Sequence, residues 1–207
     1  MHELLIATRN QGKLREFTAI FAGLDVTLRT LDDLGIADEI AETGTTFAAN
    51  AILKAEGYLA LSGLPTLADD SGLEVAALNG APGVYSARYG GVTGEAQLHY
   101  LLDQLKDVPW HARLARFVCV IALARPGHPT ALAEGTLPGV IEHAPRGSGG
   151  FGYDPLFYLL DTNCTLAELS AEHKNQISHR ANAARAARAI LLQIVDCRPP
   201  TPDPPTP

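Results

Sequence analysis

Short apolar runs along the chain alternate with longer segments in which apolar residues recur every three or four positions. Leu4–Ala7 is a continuous apolar run and predicts a buried strand; Leu14, Phe17, Phe21 and Leu24 then follow at helical spacing. Val26–Leu31 predicts a second strand. Thr43-Gly-Thr-Thr46 offers N-caps for a helix that runs to about Leu61 and stops at Gly63-Leu-Pro65. Thr66–Ala68 and Leu73–Ala77 read as extended segments flanking Asp69 and Asp70, and Gly80-Ala-Pro-Gly83 reads as a turn. A helix follows over Gly94–Leu105, a central strand over Phe117–Ala124 and another strand over Ala133–Ile141. Pro145–Gly152 is a glycine-rich loop, and Ser178–Val195 a long C-terminal helix. No internal repeat is present. The class is α/β, with a sheet that need not be purely parallel.

Length and composition narrow this picture. The chain of 207 residues suffices for one generous domain or two small lobes sharing a core, and 46% hydrophobic with 19% charged residues argues against disorder. Arg198–Pro207, rich in proline, can form neither a helix nor an inner strand; it is expected to be a disordered tail, either inert or a docking segment. A net charge of -7 weighs against a nucleic-acid polymer as partner. It leaves room for a nucleotide pocket, where a few basic residues and a divalent cation offset a triphosphate. Cys119, Cys164 and Cys197 have neither zinc nor disulfide-framework spacing. The N-terminus lacks the apolar run of a signal peptide and no segment is long enough to span a bilayer, so a cytoplasmic setting and no membrane partner are expected.

Five stretches carry candidate chemistry, and each has a plainer alternative. Thr8-Arg9-Asn10-Gln11-Gly12-Lys13 lies between a strand and a helix, where backbone N–H groups and the helix dipole suit an anion; it could equally be a polar connecting loop. Phe47, Asn50, Ala51, Lys54 and Tyr58 share one helical face. Polar residues within that stripe suggest a face turned to a polar cleft, or else a helix edge with a snorkelling lysine. Glu42, just ahead, favours the helix dipole or ligates a metal. Asp69 and Asp70 point to opposite sides if their segment is extended, which divides their work. Such carboxylates suit Mg²⁺, although an Asx-turn before Gly72 is the alternative. Phe151, Gly152, Tyr153 and Asp154 combine close backbone approach, a stacking ring and a carboxylate, or form a flexible hairpin. Lys174, His179 and Arg180 put positive charge near a helix start, against its dipole, either for an anionic or carbonyl-bearing ligand or as a solvated patch.

Taken in order, ATRNQGKLREF, ETGTTFAANAILKA, LADDSGLEV with GAPGVYSARYGG, ARFVCVIALA, PRGSGGFGYDPLF and AELSAEHKNQISHRANA resemble the inosine triphosphate pyrophosphatase family over nearly the whole chain except the tail. The resemblance implies a mixed twisted sheet flanked by helices, one catalytic domain (1–197) of two lobes around a deep central cleft, and a homodimer. It also implies Mg²⁺-dependent hydrolysis of ITP, dITP and XTP between the α and β phosphates, giving the monophosphate and pyrophosphate. Position by position, Thr8 to Lys13 and Lys54 would hold the phosphates, and Asn50, on the same helix face as Lys54, would contact substrate. Glu42 and Asp70 would bind the metal, with Asp70 also accepting the proton of the attacking water and Asp69 supporting it. Ser71 would touch substrate; Phe151 to Asp154, Lys174, His179 and Arg180 would surround base and sugar. His173, where an acid is common, is the one mild departure.

Two other functions stay open on the sequence: a nucleotide sensor without turnover, and a Maf-like pyrophosphatase acting on modified pyrimidine triphosphates. Hypoxanthine and xanthine offer a 6-oxo acceptor where adenine offers a donor. A donor such as Arg180 or a backbone N–H aimed there would discriminate by roughly 10²-fold or more.

Overall fold

Seven strands form one sheet in the order β2-β1-β3-β4-β5-β6-β7, and the computed structural model describes residues 2–196 of the chain. The proline-rich segment at 198–207 lies outside the described residues. Strand β1 (His2–Ile6) pairs in parallel with β2 (Val26–Thr30) and β3 (Thr66–Val75), reached through helices α1 (Gln11–Ile20) and α2 (Phe47–Ser62). From β3 onward all pairing is antiparallel: β4 (Leu114–Arg125), β5 (His128–Ile141), β6 (Phe157–Leu159) and β7 (Cys164–Thr165). The sheet is therefore mixed, as expected. Helix α2 begins at the Thr46 N-cap and ends at Gly63 in the left-handed conformation, a pairing of cap residues that the sequence announces.

The structure departs from the sequence pattern around the two aspartates. The two extended segments there are one strand, β3, paired with β4 without a break from Thr66↔Ala124 to Val75↔Ala115. Two further helices follow α3 (Glu95–Gln104): α4 (Ala171–Ile177) and α5 (His179–Asp196). Ser178 separates them and accepts the Ala181 N–H at 3.1 Å, which caps α5 and puts His179 and Arg180 in its first turn. Lys174 belongs to the short preceding helix α4.

Strand alternation assigns each aspartate its side. Leu4, Ile6 and Leu67 pack with Phe17 and Phe21 of α1 and Ala183, Ala184 and Ala187 of α5. Leu5, Ala7 and Ala68 pack instead with Phe47, Ala51, Ala55 and Tyr58 of α2. Each fully buried Leu or Phe contributes about 1.5–3 kcal/mol. Continuing the alternation, Asp69 follows Leu67 onto the α1/α5 face and Asp70 follows Ala68 onto the α2 face. A third cluster, with Leu73, Leu101, Leu105, Phe117, Tyr153 and Phe157, fills the other end of the sheet. Helix α5 lies close on β5 because Gly135 has no side chain: a Cβ there would meet backbone atoms of His179, Asn182 and Ala183.

Candidate active site

A cavity of about 620 Å³ opens beside the aspartate segment. Its wall takes Thr8, Arg9, Asn10 and Lys13 from the β1–α1 loop, Glu42, Lys54 and Tyr58 from and before α2, and Asp70 and Ser71 from β3. The Phe151–Asp154 loop, Lys174, His179 and Arg180 complete it. Most of the residues singled out in the sequence thus meet in one place. Gln11, Gly12, Asn50 and Asp69 are not on the wall.

The loop after β1 is organised by its own side chains. Asn10 caps α1, its Oδ1 accepting the N–H groups of Gly12 at 2.9 Å and Lys13 at 3.1 Å. Those two donors are thereby engaged within the loop. Arg9 donates to the carbonyls of Ile36 at 2.9 Å and Asp38 at 3.0 Å, fixing the loop against the segment before α2. Gly12 leaves space for the Phe151 ring, which a Cβ at position 12 would approach to 2.7 Å. The two loops at opposite ends of the sequence therefore touch.

Asp70 belongs to the α2 side. Its Oδ2 accepts a hydrogen bond from Asn50 Nδ2 at 3.0 Å, its Oδ1 accepts the Ser71 N–H at 3.0 Å, and Lys54 Nζ lies 3.8 Å from Oδ1. Lys54 Nζ also sits 2.8 Å from Glu42 Oε1. Burial pushes the Asp70 carboxyl above its usual range, outweighing the attraction of Lys54 and the Asn50 hydrogen bond. Lys54 moves up as well: burial disfavours its charge, but Asp69, Asp70 and Glu42 together favour it more.

Asp69 belongs to the other face and to a different network. It is 2% exposed, with Oδ2 2.9 Å from Lys13 Nζ and 3.8 Å from Arg180 Nε, and Cys119 Sγ lies 3.8 Å from the same oxygen. Burial alone would raise this carboxyl, yet Lys13, Arg180 and Lys54 outweigh it and hold Asp69 well below the usual range. Arg180 continues the chain to Glu16, whose Oε1 lies 2.9 Å from Lys174 Nζ; Lys174 in turn reaches Asp154 Oδ2 at 2.5 Å. Charges alternate along Lys13, Asp69, Arg180, Glu16, Lys174 and Asp154, so the buried chain is neutral. Glu16 was missed in the sequence. It sits beside Phe17 on a helix of mixed character, and its partners are more than 150 positions away, so local spacing gave no signal.

At the far end the Phe151–Asp154 loop folds on itself. Asp154 Oδ2 accepts the Phe151 N–H at 2.8 Å, and Tyr153 donates its hydroxyl to the Ser86 carbonyl at 3.1 Å. The Phe151 ring has Lys174 Nζ at 4.7 Å and the Arg180 guanidinium at 5.6 Å from its centroid. His179 stacks on Phe117 with ring centroids 4.6 Å apart, and its Nδ1 has no partner among the described residues. Burial first, then Arg180 and Lys174, depress its pKa well below 6.5, so the ring is neutral at neutral pH. Arg180 donates from its terminal nitrogens to Glu16 and to Ser71 Oγ, the latter at 3.0 Å, while its Nε has no hydrogen-bond partner among the described residues.

The donor set fits a divalent cation in one respect and is incomplete in another. Glu42 and Asp70 are hard oxygen donors that share a single positive charge, the Lys54 ammonium, between them. Among the described residues no group of three or more His, Cys, Asp or Glu stands ready to enclose a metal. This matches the few-carboxylate habit of Mg²⁺, which keeps waters and takes phosphate oxygens from substrate. No helix among the described residues is long and apolar enough to cross a membrane.

Residues 4–190 match the model of the Ham1 family. A protein of Geobacillus kaustophilus named dITP/XTP pyrophosphatase is 54% identical over 185 residues, 88% of this chain and 91% of that protein. One of the same name from Geobacter sulfurreducens is 51% identical, covering 88% and 93%. Among solved structures, the Staphylococcus aureus Ham1 protein superposes with a TM-score of 0.84 at 44% identity, covering 93% of this chain and 99% of that one. A HAM1 protein from Coxiella burnetii gives 0.86 at 40% identity, covering 93% and 100%.

Proposed function

The chain belongs to the Ham1 family, and from that membership we propose that it hydrolyses noncanonical purine nucleoside triphosphates, dITP, XTP and ITP, to the monophosphate and pyrophosphate. Its task is then to remove deaminated purines from the nucleotide pool. The observation that carries this reading is the lining of the cavity: Glu42, Lys54 and Asp70 gather on one side, and the Phe151 ring and His179 stand with Asp154, Lys174 and Arg180 on the other.

The triphosphate lies toward Lys54 and the Thr8–Lys13 loop, where the two lysines offset its charge. Glu42 and Asp70 would hold Mg²⁺, which when bound neutralises charge developing on the phosphate oxygens. Asp70 Oδ1 takes the proton of the attacking water. Burial raises its pKa and so makes it a stronger base than a solvated aspartate. Lys13 works with a divided allegiance, because it also neutralises Asp69. Asp69 acts as the support of this centre and stays off the cavity wall.

The base lies toward Phe151 and His179. Discrimination at the 6-position falls to His179, Arg180 and backbone N–H groups of the Phe151–Asp154 loop; Arg180 spends a donor on Glu16 and one on Ser71 and keeps others for a ligand. Arg180 holds Ser71 and the Phe151 ring in place. We assign the two lobes to the packing around α1, α2 and α5 on one side and the cluster around Leu101, Phe117 and Phe157 on the other. A homodimer in the cytoplasm completes the proposal.

The test is a product assay with Mg²⁺ over ITP, XTP, dITP, GTP, ATP and modified pyrimidine triphosphates. Pyrophosphate release confined to the deaminated purines is expected. Release of orthophosphate with a diphosphate product overturns the cleavage position, and tight ITP binding without turnover makes the protein a sensor.

A further inference from the structure

The geometry points to Asn50 as the residue that aims Asp70, a positioning role in place of the substrate contact its helix face suggested. The inference rests on the reading of Asp70 as proton acceptor. Asn50 is wholly buried in the first turn of α2 and does not line the cavity. Its amide can face only one way. Oδ1 accepts the Gly44 N–H at 2.7 Å, so Nδ2 is left to face β3, where it donates to Asp70 Oδ2 at 3.0 Å. Turning the amide over would set a donor against the Gly44 N–H and an acceptor against a carboxylate. The chain ahead of α2 is pressed onto this side chain, since a Cβ at Gly44 would lie 2.7 Å from Asn50 Oδ1 and 2.7 Å from Ala49 Cβ.

The consequence falls on the carboxylate. With Oδ2 held by Asn50 and Oδ1 accepting the Ser71 N–H at 3.0 Å, Asp70 is fixed at both oxygens. Oδ1 is then the oxygen on the Lys54 side, 3.8 Å from Nζ. Terminal torsions of aspartate are otherwise broad. Without Asn50 the group would rotate, and its buried Oδ2 would lack a donor. Because Asn50 does not line the cavity, its loss removes no direct contact with substrate.

Steady-state kinetics on Asn50→Leu and Asn50→Ala, corrected for the folded fraction, tests this. We expect kcat to fall about 10- to 100-fold with KM within about threefold, the signature of an interaction that acts in the transition state alone. Added to Asp70→Asn, Asn50→Ala is expected to leave the residual rate unchanged. A KM raised about tenfold at unchanged kcat would return Asn50 to substrate binding and overturn the inference. So would unchanged kinetics in folded protein, or a further loss of rate on top of Asp70→Asn. If Asp70→Asn alone keeps near wild-type turnover, the proton-acceptor reading fails first, whatever Asn50 does.

Discussion

Asp69 and Asp70, adjacent in β3, answer to opposite sides of the sheet: Asp69 Oδ2 lies 2.9 Å from Lys13 Nζ, and Asp70 Oδ2 accepts from Asn50 at 3.0 Å. Substitution should therefore separate activity from stability. Asp70→Asn is expected to lose turnover by about 10²-fold or more while the fold survives. Asp69→Asn leaves Lys13 and Arg180 short of a buried counter-charge and should cost about 3–5 kcal/mol, or roughly 6–20 °C in Tm. Product release and thermal unfolding on the two variants check this; equal loss of stability in both would contradict the division.

Lys54 holds the place of a cation between Glu42 and Asp70. On the proposed function, metal and ammonium would compete for the same oxygens until substrate phosphates offered Lys54 another partner. Lys54→Met should bind Mn²⁺ more tightly than wild type when no nucleotide is present, by about tenfold. Titration followed by electron paramagnetic resonance reads this without catalysis. Weaker Mn²⁺ binding in the variant would count against the competition, and Glu42→Gln should abolish the gain.

His179 is buried neutral, with burial, Arg180, Lys174 and Lys13 disfavouring its protonation and Asp69 favouring it. Its folded pKa lies below the unfolded value of about 6.5, so the unfolded state binds the extra proton first. The stability this group supplies is full above about pH 6.5 and is lost as pH falls through that value toward the folded pKa. His179→Gln should flatten this limb of the stability curve. Denaturant unfolding between pH 5 and pH 8 would show it, and identical slopes in both proteins would refute it.

Gly135 sets how closely α5 approaches β5. A methyl group there meets backbone atoms of His179 and Ala183, which cannot rotate aside. Gly135→Ala should destabilise by about 1–3 kcal/mol or more and raise KM for the nucleotide, because His179 and Arg180 ride on the displaced helix. Thermal melting and kinetics on the soluble fraction check both.

Much of this was legible in the chain. Apolar runs and cap residues marked β1, β2, α1, α2 and α3, and strand alternation foretold that the two aspartates part company. What local spacing does not carry is the pairing of side chains from distant segments. Asp69 and Asp70 looked like a break in an apolar pattern because the lysines and arginine that make them tolerable inside a strand come from α1, α2 and α5. Asn50 looked like a ligand contact because its spacing matched Lys54, and only Gly44 and Asp70 show where its amide is spent. Strands β6 and β7 are too short to carry a period, and Ser178 divides a helical stretch that composition alone runs together.

The seating of α5 on Gly135 also orders events in time. Ribosomes deliver the chain from its N-terminus, so the acids Glu16, Asp69 and Asp70 emerge long before Lys174 and Arg180. Until α4 and α5 dock, Glu16 has neither of its cations and Asp69 has only part of its complement. An unfinished chain thus carries Glu16 and Asp69 with their counter-charges incomplete. The proposed hydrolytic centre around Asp70 is in the chain before Lys174 and Arg180, the cations that complete the other end of the cavity.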